Sequence, residues 1–253
     1  MSALRRALSA EALKLRGTLA LWMCLIAPAT VVALVVLQLT FTEIRNPPAY
    51  LAGEAWMRFV HGVLALWTLL MLPLFVTLQA ALLAGLEHGN QQWKHLLALP
   101  LPRGVHYLAK LLALATMALL AMTLLLLLIV LGGALLGVLQ PDLGIAGAPP
   151  WAFLLTRIPA IFAAALLIIA LHIWIAIRWR SFTIAVSIGM TATVAGFLIG
   201  QSKSLGHLYP WTLPMQVLAG DGERLQYAVL AGLLGGALVA ALGLGDFLRR
   251  EME

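Results

Sequence analysis

This sequence has few charged residues and a single cysteine. Only 10% of its 253 residues are Asp, Glu, Lys or Arg, whereas soluble proteins average about 25%, and the mean hydropathy is +0.99. A chain with so few charges cannot give a folded domain a water-soluble surface, so we expect an integral membrane protein. The single cysteine, Cys24, lies in a hydrophobic run, which excludes a disulfide framework and a cysteine-based metal site.

Motifs for catalysis are also missing. The sequence contains no G-x-x-x-x-G-K-[ST] and no H-E-x-x-H, so we expect neither an ATP-phosphate site nor the common zinc-protease site. Ser187 and His172 are the candidates for a serine-protease pair, but the sequence around Ser187 lacks the glycines of a rhomboid-like nucleophile site. An intramembrane enzyme, either a protease or a lipid-modifying enzyme, is therefore the weaker alternative to a transport subunit.

Six hydrophobic runs are long enough to cross a membrane, which takes about 20 apolar residues in a helix. The predicted fold is an all-α integral membrane protein with six transmembrane helices and both termini on one side. The predicted spans are approximately 19–41, 59–86, 109–138, 152–177, 182–200 and 225–246, within a single domain that covers 1–253.

Lys and Arg are divided unequally between the two sets of loops. Eleven of the 16 lie at the termini and in the loops after the second and fourth spans, and five lie in the other loops. Because cytoplasmic loops carry the excess of Lys and Arg, both termini are predicted to be cytoplasmic. The same bias accounts for the net charge of +6, so no nucleic-acid partner is expected.

Two irregular segments accompany the spans. Residues 2–16 alternate apolar and basic side chains at helical spacing, which is typical of an amphipathic helix in the membrane interface. Its apolar stripe is Leu4, Ala7, Leu8, Ala12 and Leu15, and its charged residues are Arg5, Arg6, Glu11, Lys14 and Arg16. Residues 205–220 are aromatic, proline-broken and too short to span, which predicts an outer interfacial or re-entrant element.

The loop at 87–110 is longer than a turn requires. Asn90 is a good N-cap, and Trp93, Leu96 and Leu97 follow on one face, whereas Pro100 and Pro102 end the helix. Around that face lie Gln92, Lys94 and His95, and Arg103 and Lys110 bring positive charge to the start of the third span. The alternative is a polar turn with an interfacial tryptophan, but the length and the two prolines favour a short helix on which another protein docks.

These features together resemble ABC-2 type transporter permeases. The resemblance rests on the six spans and on three segments, 11–16 (EALKLR), 87–110 with its QWK and LPLPR sequences, and 209–214 (YPWTLP). The last segment is similar to the branch of the family associated with lantibiotic immunity and bacitracin resistance.

The resemblance implies a particular assembly. Two permease subunits, identical or paralogous, would bind two cytosolic ABC ATPase subunits and export a hydrophobic or amphipathic substrate such as an antimicrobial peptide or a lipid-like molecule. The helix near 90–98 would be the coupling helix, and Glu87 would open the family's loop and pair with a basic residue of its own subunit. ATP and Mg would be bound by the ATPase and no cofactor by this chain, which would lie among lipids in a bacterial plasma membrane. A non-transporting assembly or sensory factor with the same helix is a further alternative.

Within the spans, a histidine, the prolines and pairs of glycines are notable. His172 is ionisable and therefore a functional candidate, and its alternative is a neutral imidazole hydrogen-bonded to a neighbouring helix. Pro73 and two other prolines predict kinks. Glycines four residues apart allow helices to approach closely, and packing within the chain is favoured over a dimer face for the pairs Gly133 and Gly137, Gly196 and Gly200, and Gly232 and Gly236.

Overall fold

The computed structural model describes residues 3–41, 52–89, 102–179, 181–202, 204–219 and 222–249. Helices make up most of this part of the chain. They are α1 (Ala3–Leu15), α2 (Leu19–Thr40), α3 (Ala52–Leu66), α4 (Leu72–Gly89), α5 (Arg103–Leu139), α6 (Trp151–Arg178), α7 (Phe182–Ile199), α8 (Leu213–Gln216) and α9 (Gly222–Arg249). A π-helical turn, Trp67–Met71, joins α3 to α4, and short 3-10 turns occupy Pro141–Leu143 and Pro210–Thr212.

Six helical stretches in the described residues are long and apolar enough to cross a membrane, namely α2, the continuous α3–α4, α5, α6, α7 and α9. The predicted all-α fold with six spans is therefore confirmed. Several helices run beyond the predicted spans, since α3 begins at residue 52 instead of 59 and α5 at residue 103 instead of 109. The predicted limits followed the hydrophobic runs, but backbone hydrogen bonds continue a helix past a charged side chain that faces water.

The two ends of the bundle are fixed by hydrogen bonds between distant segments. At one end the Gln140 side chain donates to the carbonyl of Thr40, at 2.7 Å. At the other end the Gln79 side chain donates to the carbonyl of Ala20, also at 2.7 Å. We call this second end the base. The base holds α1, the end of α4, the start of α5 and the ends of α6 and α9, and we call the opposite end the outer end.

Glycines allow the helices to pack closely within the chain. A Cβ atom at Gly232 would collide with the backbone of Ala163 and Ala164, so α9 lies directly against α6. Gly133 of α5 likewise accommodates the ring of Trp56 from α3. Packing within the chain, the interpretation favoured from the sequence, is thus what these glycines provide.

The π-helical turn coincides with Pro73. The amide of Leu72 donates to the carbonyl of Trp67, five residues back, instead of four. Proline has no N–H and its ring collides with the carbonyl four residues before it in a regular α-helix, so a widened turn just ahead of Pro73 relieves that collision. The sequence predicted a kink here but not its form.

Candidate functional site at the base of the bundle

Lys110 is the most buried cation among the described residues, with 1% of its surface exposed. Its Nζ donates to the carbonyl of Leu83 at 3.0 Å and lies 3.5 Å from Oε2 of Glu11. Leu83 belongs to α4 and Glu11 to α1, so one ammonium group links three helices. Lys110 is the last residue of the 87–110 segment defined from the sequence and lies within α5, seven residues after its start, so this link is close in sequence to the predicted docking segment.

Glu11 is the acidic partner, and it too is buried, at 7% exposure. Its Oε1 accepts a hydrogen bond from Nζ of Lys14 at 3.0 Å. A buried carboxylate is strongly destabilising unless cations and donors surround it, and two lysines fulfil that need here. We call Glu11, Lys14, Lys110 and the Leu83 carbonyl the base cluster.

The base cluster corrects the predicted face of α1. The apolar stripe included Ala12, but the structure exposes Ala12 and buries Ala7, Glu11 and Leu15. The buried face is therefore rotated towards Glu11. The physical reason is the ammonium group of Lys110, which makes burial of the Glu11 carboxylate possible. Because Lys110 lies on another helix, the periodicity of α1 cannot reveal this contact.

The two helices that bear the loop continue past this link. From Leu83, α4 runs on to Gly89, and α5 begins seven residues before Lys110. At 1.5 Å per residue, each helix projects about 10 Å beyond the Lys110 contact. The ends of the loop are thus carried on a helical hairpin whose two arms are joined side by side.

A second group of contacts joins the start of α5 to α6 and α9. Oδ2 of Asp246 accepts a hydrogen bond from Nε1 of Trp174 at 3.0 Å and lies 4.0 Å from Nε of Arg178. The ring of Tyr107 packs against that of Phe247 in a tilted geometry, with centroids 5.9 Å apart. Sequence reasoning missed Asp246, although its position is a signal, because it is the sole acidic residue between Glu223 and Glu251.

The other predicted site residues fall into three groups. Arg103 begins α5 and is exposed, and Glu87 lies in the last turn of α4. The basic residues Arg5, Arg6 and Arg16 are exposed on α1 and in the turn after it. The predicted docking helix at 90–98 lies outside the described residues, with Asn90, Gln92, Trp93, Lys94, Leu96 and Leu97.

His172 lies apart from the base cluster, between α4, α6 and α7. The hydroxyl of Thr77 donates to the carbonyl of Pro73 at 2.8 Å, so it can accept from Nε2 of His172, at 3.2 Å. The ring of Trp211 approaches His172 edge-on, with centroids 5.7 Å apart. In the part of the chain that the structure describes, no group of three or more His, Cys, Asp or Glu could hold a metal. These contacts favour a hydrogen-bonded histidine within the helix packing.

The outer segment, residues 204–219, packs against the spans through part of its length, where Thr212, Leu213, Pro214 and Val217 are buried. The hydroxyl of Tyr209 donates to the carbonyl of Ala192 at 2.9 Å, and burial raises the pKa of this tyrosine. Ala192 lies seven residues before the end of α7, or about 10 Å along the helix. Arg157 donates to the carbonyl of Val217 at 3.1 Å, which joins the same segment to α6.

The fold and the base cluster define a class of protein. It is a multi-pass helical membrane protein whose contacts at one end converge on the two arms of a single long loop. The chain belongs to the ABC-2 family of transporter proteins, because the family model described as ABC-2 family transporter protein matches residues 7–196. That match includes α1 from Ala7 onwards, the loop and His172. Neither the curated proteins nor the solved structures give a significant match.

Proposed function

We propose that this chain is the permease subunit of an ATP-driven exporter in a bacterial plasma membrane, with both termini in the cytoplasm. Its substrate would be hydrophobic or amphipathic and would leave the cytoplasm or the membrane. The observation that carries the proposal is family membership across residues 7–196, since members of this family are membrane subunits of ABC transporters. The similarity of 209–214 to the lantibiotic and bacitracin branch supports an antimicrobial peptide as substrate.

ATP and Mg would be bound by a separate ATPase subunit, present in two copies beside two permeases. A permease without a nucleotide site must receive energy through contacts that differ between the two states of its partner. The predicted docking face of Trp93, Leu96 and Leu97 would form those contacts. The base cluster supports this route, because Lys110 and Leu83 join the two helices that carry the loop.

Interfacial placement of α1 and of the outer segment is part of the same proposal. Around the turn from α1 to α2, which carries the exposed Arg16, large apolar side chains are also exposed, with Leu13 at 69%, Leu19 at 61% and Trp22 at 60% exposure. Apolar groups that protrude next to basic groups are the pattern of a segment lying at the surface of anionic lipid.

The docking proposal is tested with Trp93→Ala and Leu97→Asp. Each removes apolar area from the centre of a predicted interface, where hot-spot residues contribute about 2 kcal/mol or more. We expect ATPase binding to weaken about thirtyfold and substrate-stimulated ATP hydrolysis to be lost, while the amount of inserted permease is unchanged. Binding is measured with the purified ATPase subunit on permease reconstituted in nanodiscs.

Trp151→Ala is the matched control, because Trp151 is a 43% exposed tryptophan at the outer end of α6. If both loop variants bound the ATPase and transported normally, the docking assignment would be wrong. Normal ATPase binding by the native chain without substrate-stimulated hydrolysis would favour a sensory or assembly factor instead. Catalytic turnover by the isolated subunit would favour an enzyme.

A further inference from the structure

A large cavity opens at the outer end of the bundle, away from the base cluster. Its volume is about 1110 Å³, and it lies between α3, the π-helical turn, the end of α7, the outer segment and the start of α9. Ligand pockets of about 300–1,000 Å³ bury most of a drug-sized molecule. This cavity is therefore large enough for a ligand bigger than a drug-sized molecule.

The rim of the cavity carries both signs of charge. Glu223 and Arg224 lie in the first turn of α9 and are exposed, as are His207 and Tyr227, whose rings meet edge-to-face at 6.0 Å. A carboxylate attracts an ammonium group and a guanidinium matches a phosphate. The rim thus suits a headgroup that bears both charges better than one that is purely anionic.

The floor of the cavity includes apolar side chains. Leu69 lies eight residues along the second span from His61, another lining residue, and Leu218 and the 55% exposed Phe197 add apolar surface beside the polar Thr212 and Gln216. Eight residues correspond to about 12 Å of depth along the span. Along the second span the lining thus changes from the imidazole of His61 to the apolar Leu69, in the same sense as the change from headgroups to acyl chains.

The floor is built on the irregular part of the second span. Leu69 belongs to the π-helical turn, and the neighbouring Thr68 hydroxyl lies 3.6 Å from Sδ of Met215 in the outer segment. Turns of this kind occur frequently at functional sites, where they interrupt regular packing. The turn and the outer segment together leave this space open between the spans.

We propose that the outer cavity binds one zwitterionic amphiphile of the phospholipid type. Its ammonium lies at Glu223, its phosphate at Arg224, and its acyl chain on Leu69, Phe197 and Leu218. Such a molecule has two sources, the membrane itself and an exported amphiphile of the same chemistry. Binding requires neither the ATPase nor transport, so the proposal stands apart from the proposed function.

Native mass spectrometry of the purified full-length protein tests this binding. The probes are phosphatidylethanolamine, which is zwitterionic, and phosphatidylglycerol, which is anionic, with matched acyl chains. We expect phosphatidylethanolamine to be retained preferentially. Glu223→Gln removes one charged partner, so it should lower phosphatidylethanolamine binding about tenfold and leave phosphatidylglycerol binding unchanged. Arg224→Gln should weaken both, and Leu69→Trp, which fills the floor, should reduce binding of every acyl-chain lipid.

Arg249→Gln is the control, because Arg249 is an exposed arginine on the same helix at the base. Glu223 is exposed at the surface, so its variant keeps the test valid if Leu69→Trp fails to fold. Equal retention of the two lipids, unaffected by Glu223→Gln, would overturn the proposal, as would a second copy of the chain filling the cavity in the reconstituted protein. Lipid extracted from the purified protein then shows which source supplies the bound ligand. A membrane phospholipid and another zwitterionic amphiphile would each support the site.

Discussion

Lys110 shows why a lysine rather than an arginine suits the centre of the base. Its ammonium is a compact group with three donors on a flexible stem, so it can point to the Leu83 carbonyl and to Glu11 at once. A planar guanidinium distributes its donors in a fixed fork and is bulkier. The lysine thereby joins α1, α4 and α5 through a single buried atom.

Removing the ammonium should destabilise the protein strongly. Lys110→Met leaves Glu11 buried with one fewer cation, and breaking a buried ion pair in this way costs about 3–5 kcal/mol. We expect a clear fall in the melting temperature of the purified protein in mild detergent. Arg103→Gln, an exposed basic residue at the start of the same helix, should leave the melting temperature unchanged.

A double-mutant cycle separates this pair from general loss of packing. Glu11→Gln with Lys110→Met should be less destabilised than the sum of the single variants, by about 1–3 kcal/mol, because no unpaired charge is then buried. Strict additivity would show that the two residues do not interact in solution.

At the scale of the helix, α9 can lie directly against α6 because Gly232 has no side chain. The backbone of Ala163 and Ala164 occupies the place where a Cβ atom of Gly232 would lie. Close backbone approach is a main source of helix association in lipid, where apolar burial between helices gives little advantage. The position should therefore tolerate no larger residue.

Gly232→Ala should accordingly separate α9 from α6 and lower the melting temperature, with a cost of about 1–3 kcal/mol for overpacking. Gly245→Ala is the matched control, since nothing lies within 4 Å of a Cβ atom there. Because alanine is the better helix former, the control should be neutral or slightly stabilising. Equal melting temperatures for the two variants would contradict the observed packing.

The six spans were predictable from the sequence because hydropathy over about 20 residues is a local property. The ion pair between Glu11 and Lys110 could not be predicted, because 99 positions separate the two residues and nothing in α1 alone indicates which of its residues contacts a cation. The form of the turn before Pro73 could not be predicted either, because a kinked helix and a π-helical turn can both accommodate a proline. The docking helix around Trp93 stays a prediction from local pattern and family resemblance.

At the scale of the whole molecule, the second span connects the two ends of the bundle. Leu83 lies in the base cluster, Thr77 holds His172 farther along, and Leu69 forms the floor of the outer cavity. From Leu83 to Leu69 the chain rises about 21 Å. Force applied at the loop would reach the cavity through this one helix, and its π-helical turn is where regular helical geometry is interrupted along that route.

A cytosolic ATPase could act on the outer cavity through this helix only if the base faces the cytoplasm. Cysteine labelling can test this orientation. In a Cys24→Ala background, Ala10→Cys places a thiol on an exposed position of α1, and Ala148→Cys places one on the exposed outer turn before α6. Cys24 is the sole cysteine and is 1% exposed, and its replacement by alanine removes one sulfur atom, so this background has no other thiol to label and is expected to insert normally.

In intact cells, a membrane-impermeant maleimide should label Ala148→Cys at once and Ala10→Cys only after permeabilisation. The reason is the excess of Lys and Arg at the base, which retains that end on the cytoplasmic side. Labelling in the reverse order would place the 87–110 loop outside the cell, beyond the reach of any cytosolic ATPase. The outer cavity would then open to the cytoplasm, and an exporter driven through that loop would be excluded.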